Sequence, residues 1–238
     1  MLERFEGHSS ELETLVNGRN PSCRLLRLKE ENGLDKVYGS VAERLSSSEL
    51  RRLAHLFENM DKIKPIVQRR VGLLFTALEE KHAVEVVEYY DFDDVFRKVL
   101  LDTIKNIDTL RLTNSKVKLK KLIAEVGWAS FEYMHDVDKA EHIVYNNPSF
   151  KLEAQVLMLK DIKNGEPVLV EDLAIDAKDI IAAGIAAEEE TAERLLRAVL
   201  SDVHKDPSVN RKEILLRLVA KYRRNKLFTL GRYINWIK

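Results

Sequence analysis

The hydrophobic residues of this chain recur at helical spacing along most of its length. One stripe contains Leu50, Leu53, Phe57 and Met60, and two others share its spacing: Leu195, Leu196, Val199 and Leu200, and Ile214, Leu215, Leu218, Val219 and Tyr222. Residues three and four positions apart lie on one side of a helix, so each stripe predicts an amphipathic helix. Alternation with a period of two is confined to a short extended segment predicted at 167–170. The pattern predicts an all-α fold, either a multi-helix bundle or an elongated helical stack.

Helix boundaries are also legible in the sequence. Two pairs have the spacing of a capping box or a similar cap, with an acidic residue three positions after the cap: Ser46–Glu49 and Asp176–Asp179. Pro65 is predicted to open a helix, because proline is tolerated in the first turn. Gly184 is predicted to end the helix that Asp176 begins, and Asn210 to cap the last long helix.

Charge is segregated along the chain although its sum is zero. The 238 residues contain 39 basic and 39 acidic side chains, so attraction to nucleic acid requires a local surface. The stretches Arg111–Lys121 and Ile214–Lys238 contain no acidic residue. Between Glu166 and Glu193, by contrast, nine acidic residues accompany a single lysine, Lys178. The two basic stretches can therefore form a phosphate-binding surface, because the field of a charge extends about 8–10 Å at moderate ionic strength.

The alternative to a phosphate-binding surface is that both basic stretches are solvated helix faces, which are common in proteins that bind no nucleic acid. Aromatic residues accompany the second stretch at Tyr222, Phe228, Tyr233 and Trp236. They fit stacking on exposed bases. They fit a packed core equally well, and for Phe228 and Trp236 we favour the core.

The sequence contains none of the common motifs for phosphoryl-transfer or hydrolytic chemistry. A glycine-rich phosphate loop, an Asp-x-Asp pair on a strand and an HExxH motif are all absent. His135, Asp138 and His142 share one helical side and suggest a metal site, but three residues on one helix make a poor tetrahedral set. A solvated polar face is the favoured interpretation, and neither a metal nor another cofactor is predicted.

The single cysteine and the N-terminal residues of the sequence indicate the cellular compartment of the protein. Cys23 has no partner for an internal disulfide, and the chain begins without a basic start followed by an apolar run. The longest apolar run, 180–187, is far shorter than the roughly 20 residues of a membrane span. A cytoplasmic protein without a membrane partner is predicted.

Four segments of the second half resemble a known family. They are Lys118–Gly127 (KLKKLIAEVG), Val170–Ile185 (VEDLAIDAKDIIAAGI), Ala192–Leu200 (AERLLRAVL) and Asp206–Leu215 (DPSVNRKEIL). In this order and spacing they resemble the body of bacterial CCA-adding tRNA nucleotidyltransferases and of the related poly(A) polymerases. The resemblance implies a helical body and tail that grip the acceptor arm and elbow of tRNA. The catalytic head of that family is not found, and the template residues of its neck, which selects the incoming nucleotide, are not matched.

Two departures from the family limit what the resemblance implies. The segment Arg70–Leu78 is similar to the place where many relatives carry a His-Asp metal motif, but here Thr76 and Ala77 occupy it. After Gly184 relatives have a Pro-Gly-Lys type of turn, whereas this chain has Ala186–Glu190 (AAEEE). The metal-dependent hydrolytic chemistry and an RNA contact from that loop are therefore not expected.

Together these observations predict a tRNA-binding helical protein that is not catalytic by itself, with a protein–protein interaction scaffold as the alternative. We expect an N-terminal helical region, 1–112, and an RNA-binding helical domain, 113–238. The partners expected are tRNA or a tRNA-like RNA and, in a larger parent protein, a catalytic head. The predicted RNA-binding residues are Lys116, Lys118, Lys120, Lys121, Lys178, Lys221, Arg223, Arg224 and Lys226.

Overall fold

The protein is all-α, as the hydrophobic periodicity predicts. A computed structural model describes residues 8–147 and 149–234, with side chains described as far as Arg224. Helix accounts for 76% of the chain, and the described part contains no strand. The predicted extended segment at 167–170 ends one residue early: residues 167–169 lie outside any helix, Leu169 has an extended backbone (φ −99°, ψ 166°), and Val170 begins a 3₁₀ turn at Val170–Asp172.

The described part contains thirteen α-helices. They are α1 (Ser9–Val16), α2 (Pro21–Glu30), α3 (Asp35–Tyr38), α4 (Ser47–Asn59), α5 (Val67–Thr76), α6 (Glu80–Val87), α7 (Asp94–Leu112), α8 (Lys116–Val126), α9 (Trp128–Val144), α10 (Phe150–Lys163), α11 (Ala177–Ala182), α12 (Glu189–Lys205) and α13 (Lys212–Ile234). None of the described helices is long and apolar enough to cross a membrane.

The chain forms two compact units whose residues alternate along the sequence. Unit 1 comprises the described residues up to Thr113 together with Val126–Glu153, and unit 2 comprises Asn114–Glu125 and the described residues from Ala154 onward. The first crossing between units lies beside the boundary predicted after residue 112. The segment 126–153 nevertheless belongs to unit 1, because α9 packs on α5 and α7.

Unit 1 is built around the packing of α7 and α5 on α9. Gly72 of α5 lies where these helices approach closely: a Cβ atom there would meet the Tyr133 hydroxyl and Val137 Cγ2 at 2.6 Å. The Tyr133 hydroxyl donates a hydrogen bond to the carbonyl of Gln68 at 2.6 Å. A side chain larger than hydrogen at position 72 would therefore force the two helices apart.

Two charged side chains are enclosed in unit 1 and are satisfied mainly by the backbone. The Arg70 guanidinium donates to the carbonyls of Val16, Gly18 and Ile63 at 2.7, 2.7 and 2.5 Å. It thereby fixes the end of α1 and the segment before α5. Glu49 completes the predicted capping box with Ser46 at the start of α4. These hydrogen bonds offset much of the cost of enclosing a charge, although the Arg70 Nε has no hydrogen-bond partner among the described residues.

Unit 2 is organised around α12, which packs against α11 and α13. Its core contains Ile180, Leu196, Val199, Leu215 and Val219 among other buried apolar residues. The predicted cap at Asp176 is confirmed as a capping box with Asp179. Gly184 follows the C-cap of α11 with φ +68°, as a glycine after a helix end commonly does.

Two predicted helix starts are wrong. Pro65 precedes the first helical residue of α5 by two positions, and Ile66 is the N-cap. Asn210 lies two residues before α13 and binds elsewhere: its side chain accepts from the Ala174 amide and donates to the Asp172 carbonyl. Asn210 therefore anchors the turn before α13 to the segment before α11, a role that local sequence spacing does not reveal.

Candidate nucleic-acid interface

A row of exposed basic side chains lies on α13. Leu215 and Val219 are buried on one side of this helix. Arg217, Lys221 and Arg224, at spacing i, i+4, i+7, are exposed on another side and form what we call the α13 basic stripe. Because residues four and seven positions apart lie above one another on a helix, the three cations share one direction.

The α13 basic stripe has no carboxylate neutralising it at short range. Within the described part of the chain none of its three side chains forms an ion pair. Lys221 of the stripe acts only weakly on a carboxylate of α12, Asp202. The pKa of Asp202 is lowered mainly by the hydrogen bond from the Tyr222 hydroxyl and, more weakly, by Lys205 and Lys221. Unpaired exposed cations of this kind are available to phosphate groups.

Arg223, which was predicted to bind RNA, forms hydrogen bonds within the protein. Its Nη1 donates to the carbonyls of Gly184 and Ile185 in the loop between α11 and α12. Lys212, at the start of α13, pairs with Asp179 of α11 at 2.5 Å. These contacts hold α13 against the α11 region, and Arg223 is therefore a positioning residue rather than a free cation.

The four lysines predicted on α8 divide into two pairs. Lys118 and Lys121 are exposed and form no ion pair within the described residues. Lys116 Nζ pairs with Asp161 at 3.2 Å and with Glu166 at 2.8 Å. Lys116 is therefore largely neutralised by residues that lie far from it in the sequence.

Lys120 is a correction to the predicted RNA-binding set. Its side chain is 0% exposed, and its ammonium pairs with Glu166. Burial alone raises the pKa of Glu166, but hydrogen bonds from Lys116 and Lys120 outweigh this effect, so the pKa is lowered. A lysine enclosed with its carboxylate partner does not reach a phosphate, and its role is structural.

Arg111, the first residue of the acid-free stretch on which the prediction rested, lies in unit 1 and is surrounded by acids. It pairs with Asp108 at 3.1 Å, with Asp138 at 3.0 Å and with Glu141. A stretch without acidic residues in the sequence is thus not a stretch without acidic neighbours.

The remaining predicted residues have simpler outcomes. Lys178 is exposed on α11 and forms no ion pair with any described residue. The side chain of Lys226 lies outside the described residues, as do those of Phe228, Tyr233 and Trp236. Of the predicted residues, five are therefore exposed and without an ion pair among the described residues: Lys118, Lys121, Lys178, Lys221 and Arg224. Arg217 of the α13 basic stripe, which was not predicted, shares these properties.

The residues considered for a metal are engaged in packing and ion pairing. His135 is buried and stacks on Phe131 with a centroid distance of 6.1 Å. Asp138 pairs with Arg111, and His142 Nδ1 lies 2.9 Å from the Asn147 carbonyl. Among the residues that the structure describes, no group of three His, Cys, Asp or Glu side chains is placed to hold a metal ion.

Comparison with protein-family models, with curated proteins and with solved structures finds no match to this chain. The interpretation of its surface therefore rests on the residues themselves.

The neutralisation of α8 had a partial signal in the sequence. Lys116 and Lys120 are four residues apart, and Lys120 lies between the buried positions Leu119 and Ile123. Lys118 and Lys121 are three residues apart on another side of the helix. Helical spacing alone therefore separates the two pairs. The identity of the partner, Glu166, does not follow from spacing, because it depends on how distant segments fold together.

Proposed function

We propose that unit 2 binds an RNA of the tRNA type through phosphate contacts from α13 and α8, and that this chain is not catalytic by itself. The observation that carries the proposal is the α13 basic stripe: three exposed cations in one direction, with no ion-pair partner among the described residues. Lys118 and Lys121 add two further exposed cations on α8 of the same unit.

Phosphate contacts of this kind fix the register and orientation of an RNA and carry little base information. Each neutralised phosphate releases condensed counterions, so the affinity falls steeply with salt. A chain with a net charge of zero has no long-range attraction to RNA. Binding must then depend on these few local cations, which makes the proposal testable by substituting them.

The choice of tRNA over other RNAs is supported by the sequence resemblance between residues 118 and 215 described above. By that resemblance the helices would hold the acceptor arm and elbow. Glu188, at the end of the loop after Gly184, and Glu189 and Glu190, in the first turn of α12, are all exposed. We therefore place no RNA contact there, because carboxylates repel phosphates.

A salt-titrated binding measurement tests the proposal. We expect the parent chain to bind tRNA with a slope of log K against log salt of about −0.9 for each phosphate contacted, taking the duplex DNA value as a guide. Replacing Lys118, Lys121, Lys221 and Arg224 together by alanine should weaken binding of any tRNA and reduce the slope by a few units. A parent that does not bind tRNA, or a variant with the same affinity and slope, contradicts the proposal.

A matched control removes the same charge elsewhere. Arg19, Lys29, Lys36 and Lys62 are exposed in unit 1, and their joint replacement by alanine changes the net charge by the same four units. This control should retain most of the affinity of the parent. Equal losses in both variants would mean that only net charge matters, and the assignment to α8 and α13 would then be wrong.

One observation favours a second function, a protein-interaction scaffold. Three large hydrophobic side chains that are exposed in unit 1 lie close together in the sequence: Ile143, Tyr145 and Phe150. Phe150 is 87% exposed. Clustered exposed apolar residues commonly mark contact surfaces for other proteins. Replacing Ile143 and Phe150 by serine without effect on tRNA binding, but with loss of a protein complex in a pull-down, would favour the scaffold.

A further inference from the structure

Unit 2 contains a groove of about 710 Å³ between α8, the 3₁₀ turn at Val170–Asp172 and α12. Its apolar lining includes Leu169, Val170, Leu196 and Leu200. Grooves that bind small molecules generally measure about 300–1,000 Å³, so one nucleotide fits and an RNA duplex does not. All residues that line the groove belong to unit 2.

Charged side chains of both signs border this apolar surface. Lys121 of α8 and Arg197 of α12 are the two cations, and both are exposed. Glu125, Glu171 and Glu193 are the three anions. Only Glu193 forms an ion pair among the described residues of the groove, with Arg197 at 3.6 Å. For an anionic group the groove therefore offers Lys121, which is unpaired among the described residues, and Arg197, which it would share with Glu193; Glu125 and Glu171 are free to accept hydrogen bonds.

His204 also lines the groove, without adding charge. It is buried, and since a carbonyl only accepts, its Nε2–H donates to the Val168 carbonyl at 2.8 Å. Burial lowers the pKa of His204, and the neighbouring Lys120 and Lys121 lower it further, against the effect of the Val168 hydrogen bond. The imidazole is thus neutral at pH 7. An anion in the groove must be held by Lys121 and Arg197.

We infer that this groove binds a single unstacked nucleotide, with its base on Leu169, Leu196 and Leu200 and its phosphate at Lys121 and Arg197. A guanidinium binds phosphate through two parallel hydrogen bonds, which makes Arg197 the stronger of the two contacts. Glu125 and Glu171 accept hydrogen bonds from the amino or imino groups at the base edge, as carboxylates do in base recognition.

The charge balance limits what the groove accepts. Two cations and three carboxylates sum to −1, so a nucleoside triphosphate, with its several negative charges, is disfavoured. A nucleotide within an RNA strand carries one charge per phosphate and suits the site. Sequence-specific RNA recognition commonly uses bases splayed out of single-stranded loops and ends. If the nucleotide belongs to a bound RNA, the inference rests on the proposed function. Lys121 then contributes both to the phosphate contacts of α8 and to the groove.

The test uses the full chain, labelled with ¹⁵N, and follows backbone amide shifts by NMR. The probes are AMP, CMP, GMP and UMP, a single-stranded RNA pentamer of mixed sequence, and inorganic phosphate. We expect the nucleotides and the pentamer to shift amides around positions 121–125, 169–171 and 193–204. Inorganic phosphate should produce much smaller shifts, because it lacks the base. Equal shifts from phosphate alone would overturn the inference.

Two variants and a matched control locate the site. Arg197→Glu reverses the exposed cation, and Ser201→Trp fills the groove from a half-buried position. Each should weaken nucleotide binding by at least about tenfold, the factor expected when a charged hydrogen bond or its binding space is lost. Arg194→Glu, on the same helix but outside the groove, should bind as the parent does. If Ser201→Trp fails to fold, Arg197→Glu still decides.

The outcomes separate this inference from the proposed function. Binding of tRNA without nucleotide shifts, and with unchanged affinity in Arg197→Glu, overturns the groove and leaves the proposed function intact. Nucleotide shifts at the groove without tRNA binding support the groove as a site for a free nucleotide and overturn the proposed function. Stronger shifts from the pentamer than from any mononucleotide identify an RNA strand as the source.

Discussion

The two units place their charged side chains in contrasting ways. Unit 1 encloses Arg70 and Glu49 and surrounds both with hydrogen-bond partners, three of them backbone carbonyls for Arg70. Unit 2 encloses Lys120 with Glu166 but leaves Lys118, Lys121 and the α13 basic stripe exposed and without ion pairs among the described residues. The same residue types thus stabilise the fold where they are enclosed and remain available for binding where they are exposed.

The contrast teaches that burial and partners, rather than residue type, decide the role of a charge. A buried charge whose partner is removed becomes strongly destabilising, whereas an exposed charge contributes little to stability. Substitutions of the enclosed charges in unit 1 should therefore reduce the stability of the fold without changing the affinity for RNA. Substitutions of the exposed cations in unit 2 should weaken RNA binding and leave the stability nearly unchanged.

The largest effect is expected at Arg70. Replacing it with methionine leaves the carbonyls of Val16, Gly18 and Ile63 without their donors inside unit 1. Because each buried unsatisfied polar group costs about 1–3 kcal/mol, we expect a loss of about 3 kcal/mol or more. Urea denaturation monitored by Trp128 fluorescence measures it. Arg69→Met is the control: Arg69 pairs with the half-exposed Asp136, and its loss should cost about 1 kcal/mol.

Glu49 predicts an acid-sensitive unit 1. Although burial raises its pKa, hydrogen bonds from the amides of Glu79 and Ser46 and from His82 lower it to about 2. The folded-state pKa is thus below the unfolded value, so the stabilisation is complete above about pH 4.5 and is lost as the pH falls towards 2. A shift of this size corresponds to about 3 kcal/mol.

Denaturation measured between pH 7 and pH 2.5 checks this expectation. Glu49→Gln should be less stable at neutral pH and should lose less stability on acidification than the parent. Glu58→Gln, at an exposed position of the same helix, is the matched control and should retain the pH profile of the parent. Parallel profiles for Glu49→Gln and the parent would show that Glu49 is not a source of the acid sensitivity.

Lys120 and Lys118 test the contrast within a single helix. Lys120→Met removes the enclosed partner of Glu166 and should destabilise unit 2 by about 2 kcal/mol, less than for a fully buried pair because Glu166 is partly exposed and retains Lys116. Lys118→Met should leave stability within about 0.5 kcal/mol. Hydrogen exchange of amides in 114–125 and 160–166 distinguishes them. Equal protection in both variants would contradict the structural role of Lys120.

The sequence predicted the helices well and the surface less well, for a physical reason. Helical periodicity and caps depend on neighbours within about four residues, which is why the Ser46 and Asp176 caps are confirmed. Ion pairs such as Arg111 with Asp138, or Lys120 with Glu166, join residues 27 and 46 positions apart and depend on tertiary packing. Charge counted along the chain therefore overstated the basic surface. The exposed stripe on α13 survives because its spacing is local.

The smallest and sharpest effect is expected from the neighbouring residues Arg223 and Arg224. Arg223 donates to the carbonyls of Gly184 and Ile185. Arg224 belongs to the α13 basic stripe, and among the described residues its Nε donates only to the Ala220 carbonyl of its own helix, at 3.4 Å. Arg223→Ala should lower stability by about 1 kcal/mol, the usual contribution of a hydrogen-bonded contact, and should speed amide exchange in the loop after α11. Arg224→Ala should leave both unchanged.

For RNA binding we expect the larger effect from Arg224→Ala, the reverse of the order expected for stability. Arg224→Ala should weaken tRNA binding and reduce the salt slope by about one phosphate, a change of about 0.9. Arg223→Ala should affect binding only to the extent that the loop loosens, with the slope unchanged. Because the two residues are adjacent and carry the same charge, net charge cannot account for a difference between them. Identical behaviour of the two variants in both measurements would remove the distinction between positioning and binding arginines on α13.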